Sequence, residues 1–415
     1  MATAVRRQRL YPWVVTVLAL SIGAPLGMYC ISRARLNRRL DAIQAAGDPL
    51  TLADLKPSAG VEEDGRILFA RAQKEIVAAA GPASALINTK SFHELQAQDI
   101  DVAAIERIWQ QYPTLLPALT HIAACSQWTK AMDYDHGIEH YIGSVPDTGA
   151  REAGTLIMAR GLQLAAQGDP DAAVLHLLKL FSIAAAMDRE PTLTTFFVSS
   201  TVREQGVRSI AAIFSWCPLR AATHAQIETV LARADVNQAL ERALKSERVV
   251  NLQLSMSNVA LARETEAILD FDADQIAMVR RPWIEVKASL NAAPNRTGFW
   301  SGTPALNLLK PAIRKAHVVK DRGVALIRSL RALNALAMHP DKVTADLARL
   351  DLPADALVAP FDGNTLRVKT DPARWLVYSV GENLVDDGGD IIGKDCKDVG
   401  LALTRPTMKG GPKSR

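Results

Sequence analysis

The sequence predicts an all-α protein with an N-terminal transmembrane helix, an array of antiparallel helical hairpins and a small C-terminal β-hairpin. Apolar residues recur with the 3.6-residue period of a helix throughout residues 62 to 350. Aromatic residues make up only 5% of the 415 residues, while alanine and leucine are plentiful, which favours helix over sheet. After Pro360 the pattern changes to short β-type runs. These observations together define the fold class.

The first segment, residues 1 to 40, is predicted to be an anchor with basic flanks. Residues 12 to 31 contain no charged side chain. At about 1.5 Å per residue, a helix of this length crosses the roughly 30 Å hydrocarbon layer of a bilayer. A cleaved signal peptide is the alternative, but no small-x-small cleavage site ends the apolar run. The numbers of positive charges on the two sides of this run are nearly equal, so the positive-inside rule indicates the membrane orientation only weakly. We expect an uncleaved single-pass anchor and an exported body.

Residues 41 to 290 are predicted to form a helical body. Residues 62 to 80 have helical spacing, and Gly81 with Pro82 is expected to end that helix. Further helices are predicted at Ile100 to Tyr112, Leu115 to Lys130, Thr192 to Phe214, Thr223 to Arg233, Asn237 to Leu269 and Gln275 to Leu290. A linker at 291 to 304, rich in Asn, Pro and Gly, then leads to a helical segment at 305 to 355, with helices at Leu306 to Met338 and Asp341 to Leu350, that we expect to pack on the body.

The stretch from Gly154 to Pro191 is interpreted as a helical hairpin around which the body is built. Gly168, Asp169 and Pro170 follow the order in which one helix ends at positive φ and the next begins with an N-cap and a first-turn proline. Gly161 lies on the apolar face, where it would let a neighbouring backbone approach closely. The second half is apolar around most of its circumference and must be covered on several sides. The hairpin is partly tetratricopeptide-like, without a convincing second copy.

Residues 356 to 403 are expected to form a β-hairpin and an acidic loop. Leu366 to Lys369 and Trp375 to Val380 are β-type runs separated by a turn sequence. The basic tail at 404 to 415 is expected to be disordered.

Three aspartates, Asp386, Asp387 and Asp390, stand in the glycine-rich loop after the hairpin. Hard oxygen ligands on such a loop suit calcium, which takes six to eight oxygens. The alternative is a solvated turn in which Gly388 and Gly389 supply positive φ. The sequence therefore offers calcium as a cofactor without requiring it.

The string from His136 to His140 fits H-x-x-E-H, the inverted zinc-peptidase motif. On a helix, His136 and His140 would bind zinc and Glu139 would act as the general base towards a metal-bound water. Gly137 weakens a helix here, and Glu204 is the best available third ligand. The preferred interpretation is a surface loop, and an enzyme is not expected.

Charge and cysteine usage exclude other classes. The net charge of +4 comes from scattered basic residues, which is not typical of a nucleic-acid-binding protein. The four cysteines show no C-x-x-C spacing, so zinc-finger chemistry is excluded. The sequence contains no G-x-S-x-G, Walker A or G-x-G-x-x-G motif.

Two stretches carry a resemblance to a family. Residues 154 to 213, with QGDPDAAVLHLLKLFSIAAAMDREPTL, and residues 360 to 390, with PFDGNTLRVKT and WLVYSVGENLVDDGG, resemble a group of uncharacterised bacterial membrane-anchored helical proteins. Its members combine an N-terminal span, a G-D-x-x-x-A helical hairpin and a C-terminal Y-S-V-G-x-N-x-x-D-D-G-G segment. The resemblance implies a bacterial inner membrane, a periplasmic body and a helical fold, but no chemistry.

The C-terminal piece alone is also similar to the end of the major pseudopilin of type II secretion, where a comparable Y-S-x-G loop binds calcium. The chain lacks the pseudopilin processing motif G-F-T-L-x-E, so only the loop is shared. We therefore expect a membrane-tethered helical scaffold or binding protein of the cell envelope, holding a protein or peptide partner. The alternative is a zinc-dependent hydrolase using the histidine string.

Overall fold

The computed structural model describes residues 30–56, 64–87, 91–128, 134–137, 140, 149–189, 192–256, 262–292, 304–338, 347–370, 374–392 and 396–404. Within these ranges the chain is mainly helical and ends in a small three-stranded antiparallel sheet, which confirms the mainly helical part of the prediction. Nearly all of the span predicted at 12 to 31 lies outside the described residues, as do residues 293 to 303 of the linker and the tail from 405.

The helical elements are numbered in chain order. Helix α1 covers residues 30–45. The remaining helices are α2 (Gly65–Ile87), α3 (Val102–Gln111), α4 (Leu115–Ala124), α5 (Gly149–Ala166), α6 (Pro170–Leu177), α7 (Lys179–Met187), α8 (Leu193–Trp216), α9 (Ala221–Arg233), α10 (Val236–Met256), α11 (Ala262–Ala277), α12 (Trp283–Ala292) and α13 (Pro304–Met338). The strands are β1 (Arg367–Thr370), β2 (Arg374–Ser379) and β3 (Val399–Thr404).

The predicted hairpin is present as α5 followed by α6 and α7. Gly168 has a φ of +92°, the Asp169 side chain accepts a backbone hydrogen bond as the N-cap, and Pro170 begins α6. The second half is two helices because the backbone tightens at Leu178. There the Phe181 N–H donates to the Leu178 carbonyl, three residues back instead of four.

One stretch among the described helices, Pro170–Met187, is long and apolar enough to cross a membrane. It coincides with α6 and α7, and 56% of it is buried inside the protein. The burial agrees with the expectation that neighbours cover this segment on several sides, since α7 packs on both α4 and α8. The apolar character of α6 and α7 is therefore accounted for by the core.

The predicted end of α2 at Gly81 is wrong, because the helix continues through Pro82 to Ile87. Gly81 and Pro82 lie on the exposed face, while Ala83 and Ile87 continue the buried face. The burial of that face offsets the hydrogen bond that a proline removes from a helix interior.

The prediction of a single helix from Asn237 to Leu269 is also wrong. Two helices, α10 and α11, pack against each other there, and no Gly or Pro in the sequence between them signals a break. The helix predicted from Gln275 to Leu290 is divided between α11 and α12 at Pro282. Of the helix predicted at Asp341 to Leu350, residues 341 to 346 lie outside the described residues and Leu347–Arg349 is a single 3-10 turn.

The longest helix, α13, contacts both the helical body and the sheet. Its 35 residues, predicted as Leu306 to Met338, extend over about 52 Å. It contacts α8, α9, α10, α12, β2 and β3. Residues from Val324 to Leu336 are almost continuously buried. The sheet packs on α8 and α13.

The sheet has the order β1-β2-β3, with both pairs antiparallel. The β1–β2 hairpin was predicted, and β3 was not. Trp375 and Val377 of β2 lie opposite Leu403 and Leu401 of β3, and these side chains belong to the main core. The opposite face, with Leu376 and Tyr378 among its members, packs with the loop that follows β2.

Gly161 of α5 allows close packing, but against a side chain and not the backbone that was expected. A Cβ at Gly161 would lie 2.6 Å from Leu177 Cγ and Cδ2, a distance that forces a shift. A Cβ at Gly323 of α13 would meet nothing closer than Val236 Cγ1 at 3.6 Å, an ordinary contact. The two helical glycines therefore differ in whether a methyl group fits.

We expect Gly161→Ala to lower the free energy of unfolding by about 1 kcal/mol, because overpacking costs roughly 1–3 kcal/mol and exceeds the gain in helix propensity of about 1 kcal/mol. The matched control Gly323→Ala should raise it by roughly 0.5–1 kcal/mol. Denaturant unfolding of the purified full-length protein measures both. Equal effects of the two substitutions would show that the α5–α6 contact is not tightly packed.

Candidate functional site

A cleft of 390 Å³ opens where the helical body meets the C-terminal sheet. We call it the junction cleft, and its lining residues are Ser91, Phe92, His93, Thr201, Glu204, Gln205, Arg208, Arg322, Ile391, Ile392 and Cys396. They come from the segment before α3, from α8, from α13 and from the loop between β2 and β3. The volume lies within the range of roughly 300–1,000 Å³ that is usual for ligand sites.

A bridged carboxylate forms the charged centre of the junction cleft. Glu204 accepts hydrogen bonds from Arg208 Nε at 2.8 Å and from Arg322 Nη2 at 3.0 Å. Burial alone would raise the pKa of Glu204, but the hydrogen bond from Arg322 and the charge of Arg208 outweigh it and hold the pKa below its usual value. The ionised carboxylate therefore joins α8 to α13, and one positive charge remains in excess.

His93 adds a neutral ring to this centre. Its Nε2 lies 3.4 Å from Arg208 Nη1. Burial, followed by the charges of Arg208 and Arg374, lowers the pKa of His93 to about 4. The imidazole is therefore uncharged at neutral pH and has a ring nitrogen that can accept a hydrogen bond. The Cys396 thiol interacts with the guanidinium of Arg322 at the other side of the cleft.

The apolar wall of the junction cleft consists of Phe92, Ile391 and Ile392, and Ile392 is 39% exposed. Such a cleft can hold an apolar group while its guanidinium groups donate to an acceptor. Sequence reasoning missed this site because its residues come from four separate segments and form no linear motif. The buried 3.6-period face of α8 was the only signal, and it indicated packing.

Each of the aspartates predicted to bind calcium has partners within the protein. Asp386 Oδ2 accepts from Arg367 Nε at 3.0 Å, and Asp386 Oδ1 accepts from the Tyr378 hydroxyl at 3.1 Å. Asp387 Oδ2 accepts from Asn383 Nδ2 at 2.6 Å. The two neighbouring carboxylates thus have different partners, and the charge of Arg367 offsets part of their mutual repulsion.

The third aspartate of the loop takes part through its backbone, since the Asp390 carbonyl accepts from the Asp398 N–H at 3.0 Å. Gly388 and Gly389 have φ of +77° and +79°, as the solvated-turn alternative requires. Asp398, which the sequence did not single out, is almost fully buried and accepts from the Gly389 N–H at 2.7 Å. In the described part of the chain, no three His, Cys, Asp or Glu side chains gather as a metal site would. Calcium stays a prediction.

The histidine string is not helical at Gly137, whose φ is +93°. The two imidazole rings nevertheless lie near each other, with centroids 6.0 Å apart. Glu139 lies outside the described residues, and Glu204 is held by two arginines. Zinc binding by the two histidines also stays a prediction.

We expect His93 to make the protein acid-sensitive. Its folded-state pKa of about 4 lies below the ordinary 6.5. Between pH 6.5 and pH 4 this histidine is therefore protonated in the unfolded chain but neutral in the folded protein. The free energy of unfolding should fall as pH drops through this window, with a slope of up to about 1.4 kcal/mol per pH unit from this group.

Denaturant unfolding at a series of pH values checks this expectation. His93→Gln should lose that part of the slope, while His121→Gln, on the exposed surface of α4, serves as the matched control. Parallel pH profiles of wild type and His93→Gln would show that the ring is not buried against Arg208.

Comparison of this chain with protein-family models, curated proteins and solved structures finds no match. A functional proposal therefore depends on the residues of the junction cleft themselves.

Proposed function

We propose that this chain is a membrane-tethered binding protein of a bacterial cell envelope, and that the junction cleft holds a protein or peptide partner. The observation that carries the proposal is the cleft itself. It combines a guanidinium pair in excess over its carboxylate with an apolar wall that is partly exposed. Both features are solvent-accessible at the boundary between the helices and the sheet.

The chemistry of the junction cleft favours a peptide segment that carries an apolar side chain beside a carboxylate. Arg322 and Arg208 are already oriented by Glu204, so little side-chain entropy is lost when a second carboxylate binds. Guanidinium groups bind carboxylates through strong charge-assisted hydrogen bonds. Because the His93 ring is neutral, it does not repel a backbone N–H of the bound peptide and can accept a hydrogen bond from it. Phe92 and Ile392 can cover the apolar side chain.

The position of α1 supports a tether at the N-terminus. Leu36 of α1 packs on Leu252 of α10 and Leu269 of α11. Just after α1, Asp48 forms ion pairs with Lys245 Nζ at 2.8 Å and Arg248 Nη2 at 3.1 Å. The helix that would continue from the predicted span is thus fixed to the body, which would hold the body at a defined place near the membrane.

A photo-crosslinking amino acid at Ile392 tests the proposal in the native membrane. We expect a discrete adduct with one partner, because Ile392 lies in the junction cleft and is partly exposed. The same group at Val77, which is 53% exposed on α2, is the matched control and should give no such adduct. Introducing Arg322→Gln together with the Ile392 probe should abolish the adduct.

Identical products from the Ile392 and Val77 positions, or no product from Ile392, would contradict a partner in the cleft. The competing zinc-hydrolase interpretation has one observation in its favour, the 6.0 Å separation of the His136 and His140 rings. Stoichiometric zinc in the purified protein, lost on His136→Ala, would reverse the preference.

A further inference from the structure

A second cavity, of 400 Å³, lies where the end of α7, the middle of α8 and the α9–α10 turn meet. Four arginines line it, Arg189, Arg203, Arg233 and Arg242, and we call it the arginine cavity. It shares no lining residue with the junction cleft. An assignment for this cavity therefore stands or falls independently of the function proposed above.

The most informative of these side chains is Arg203, which is only 4% exposed. Its Nη2 donates to Asp188 Oδ2, whereas its Nη1 is a buried donor with no partner in the described part of the chain. Leaving a buried donor of a charged group unsatisfied costs on the order of 1–3 kcal/mol or more. Arg203 lines the cavity, so an acceptor that reached Nη1 from there would remove this cost.

The carboxylates near the arginine cavity already have partners. Asp188 accepts from Arg203 and also from Ser199 Oγ at 2.6 Å. Asp235 pairs with Arg280 Nη2 at 3.1 Å, and its Oδ1 accepts from a backbone N–H at the start of α10. Four guanidinium groups against two carboxylates leave a formal excess of two positive charges in the lining. The lining therefore favours an anionic ligand.

The remaining lining adds an apolar surface beside the arginines. Phe181 of α7 and Val230 of α9 contribute an apolar wall, continued by Ala239 of α10. Arg242 stands on the same helix as Ala239, with its Nη1 3.5 Å from the Asp188 carbonyl, a long and weak contact that a ligand can replace. The volume is sufficient for an anionic group together with a small ring.

We propose that the arginine cavity binds a phosphate monoester carried by a small organic group. Such a monoester has a charge of about −1.5 to −2 at neutral pH and three strong acceptor oxygens, which match the charge excess and the free Nη1 donor. A carboxylate would satisfy Arg203 but would leave one positive charge without a counter-charge. The apolar wall receives the organic group.

Isothermal titration of the purified full-length protein with phenyl phosphate tests this assignment, with inorganic phosphate and benzoate as comparison ligands. Wild type should bind phenyl phosphate more tightly than either. Arg242→Gln removes one cation, and Arg203→Lys keeps a cation for Asp188 while removing the Nη1 donor. Each variant should bind phenyl phosphate about tenfold more weakly or worse. Arg107→Gln, an exposed arginine on α3, is the matched control and should bind like wild type.

The remaining outcomes each decide against the proposal. Absence of phenyl phosphate binding at millimolar concentration overturns it, as does binding that Arg242→Gln leaves unchanged. Tighter binding of benzoate reassigns the cavity to carboxylates. Sedimentation with phosphatidate vesicles, without binding of phenyl phosphate, reassigns it to a lipid headgroup. If Arg203→Lys fails to fold, Arg242→Gln decides alone, because Arg242 is only partly buried and its contact with Asp188 is weak.

Discussion

The burial of α13 from Val324 to Leu336, between the helical body and the sheet, is the constraint on which the rest of this structure depends. Polar side chains that a helix carries into such a core are costly to bury unless they find internal partners. Arg331 reaches Glu228 of α9, Arg322 reaches Glu204 of α8, and the Lys320 ammonium donates to the Val279 carbonyl at 2.8 Å. Each of these side chains contacts a different part of the fold. The polar residues of α13 therefore specify which neighbours pack where, while apolar burial supplies most of the stability.

The same constraint explains why the junction cleft lies where it does. Arg322 is half-buried, just before the almost continuously buried stretch that begins at Val324, and the sheet packs on both α8 and α13 nearby. The ion pair between Glu204 and Arg322 is half-buried there, so its guanidinium group remains accessible. A structural contact between two helices thus supplies an oriented cation at a surface opening. In the arginine cavity, too, a structural ion pair orients a guanidinium group. Arg203 is bound by Asp188, and its Nη1 donor has no partner in the described part of the chain.

Local rules predicted the elements that depend on local sequence. The Gly168–Pro170 turn, α13 and the β1–β2 hairpin were all recognisable, because capping chemistry, helical period and strand alternation act within a few residues. Elements set by tertiary packing were missed. Pro82 continues a helix only because its neighbours are buried, and β3 exists because β2 offers an edge that is distant in sequence.

The candidate sites divide in the same way. The string at His136 and the aspartates from Asp386 attracted attention because metal motifs are short and linear. In the structure, Asp386 instead accepts hydrogen bonds from Arg367 and Tyr378, which strand pairing places beside the loop. His93, Glu204, Arg322 and Cys396 come together only after α8, α13 and the sheet have packed. No reading of neighbouring residues could assemble them.

The most direct test of this account is a double-mutant cycle on Arg331 and Glu228. Arg331 Nε lies 3.0 Å from Glu228 Oε1, and the Arg331 side chain is only 11% exposed. With Arg331→Gln and Glu228→Gln, we predict a coupling energy of roughly 1.5–3 kcal/mol, as for a charge-assisted hydrogen bond in a partly buried site. The exposed pair of Arg281 and Glu285, 3.9 Å apart on the surface, should couple by less than about 0.5 kcal/mol. Equal coupling energies for the two pairs would contradict the claim that the polar side chains of α13 hold its neighbours in place.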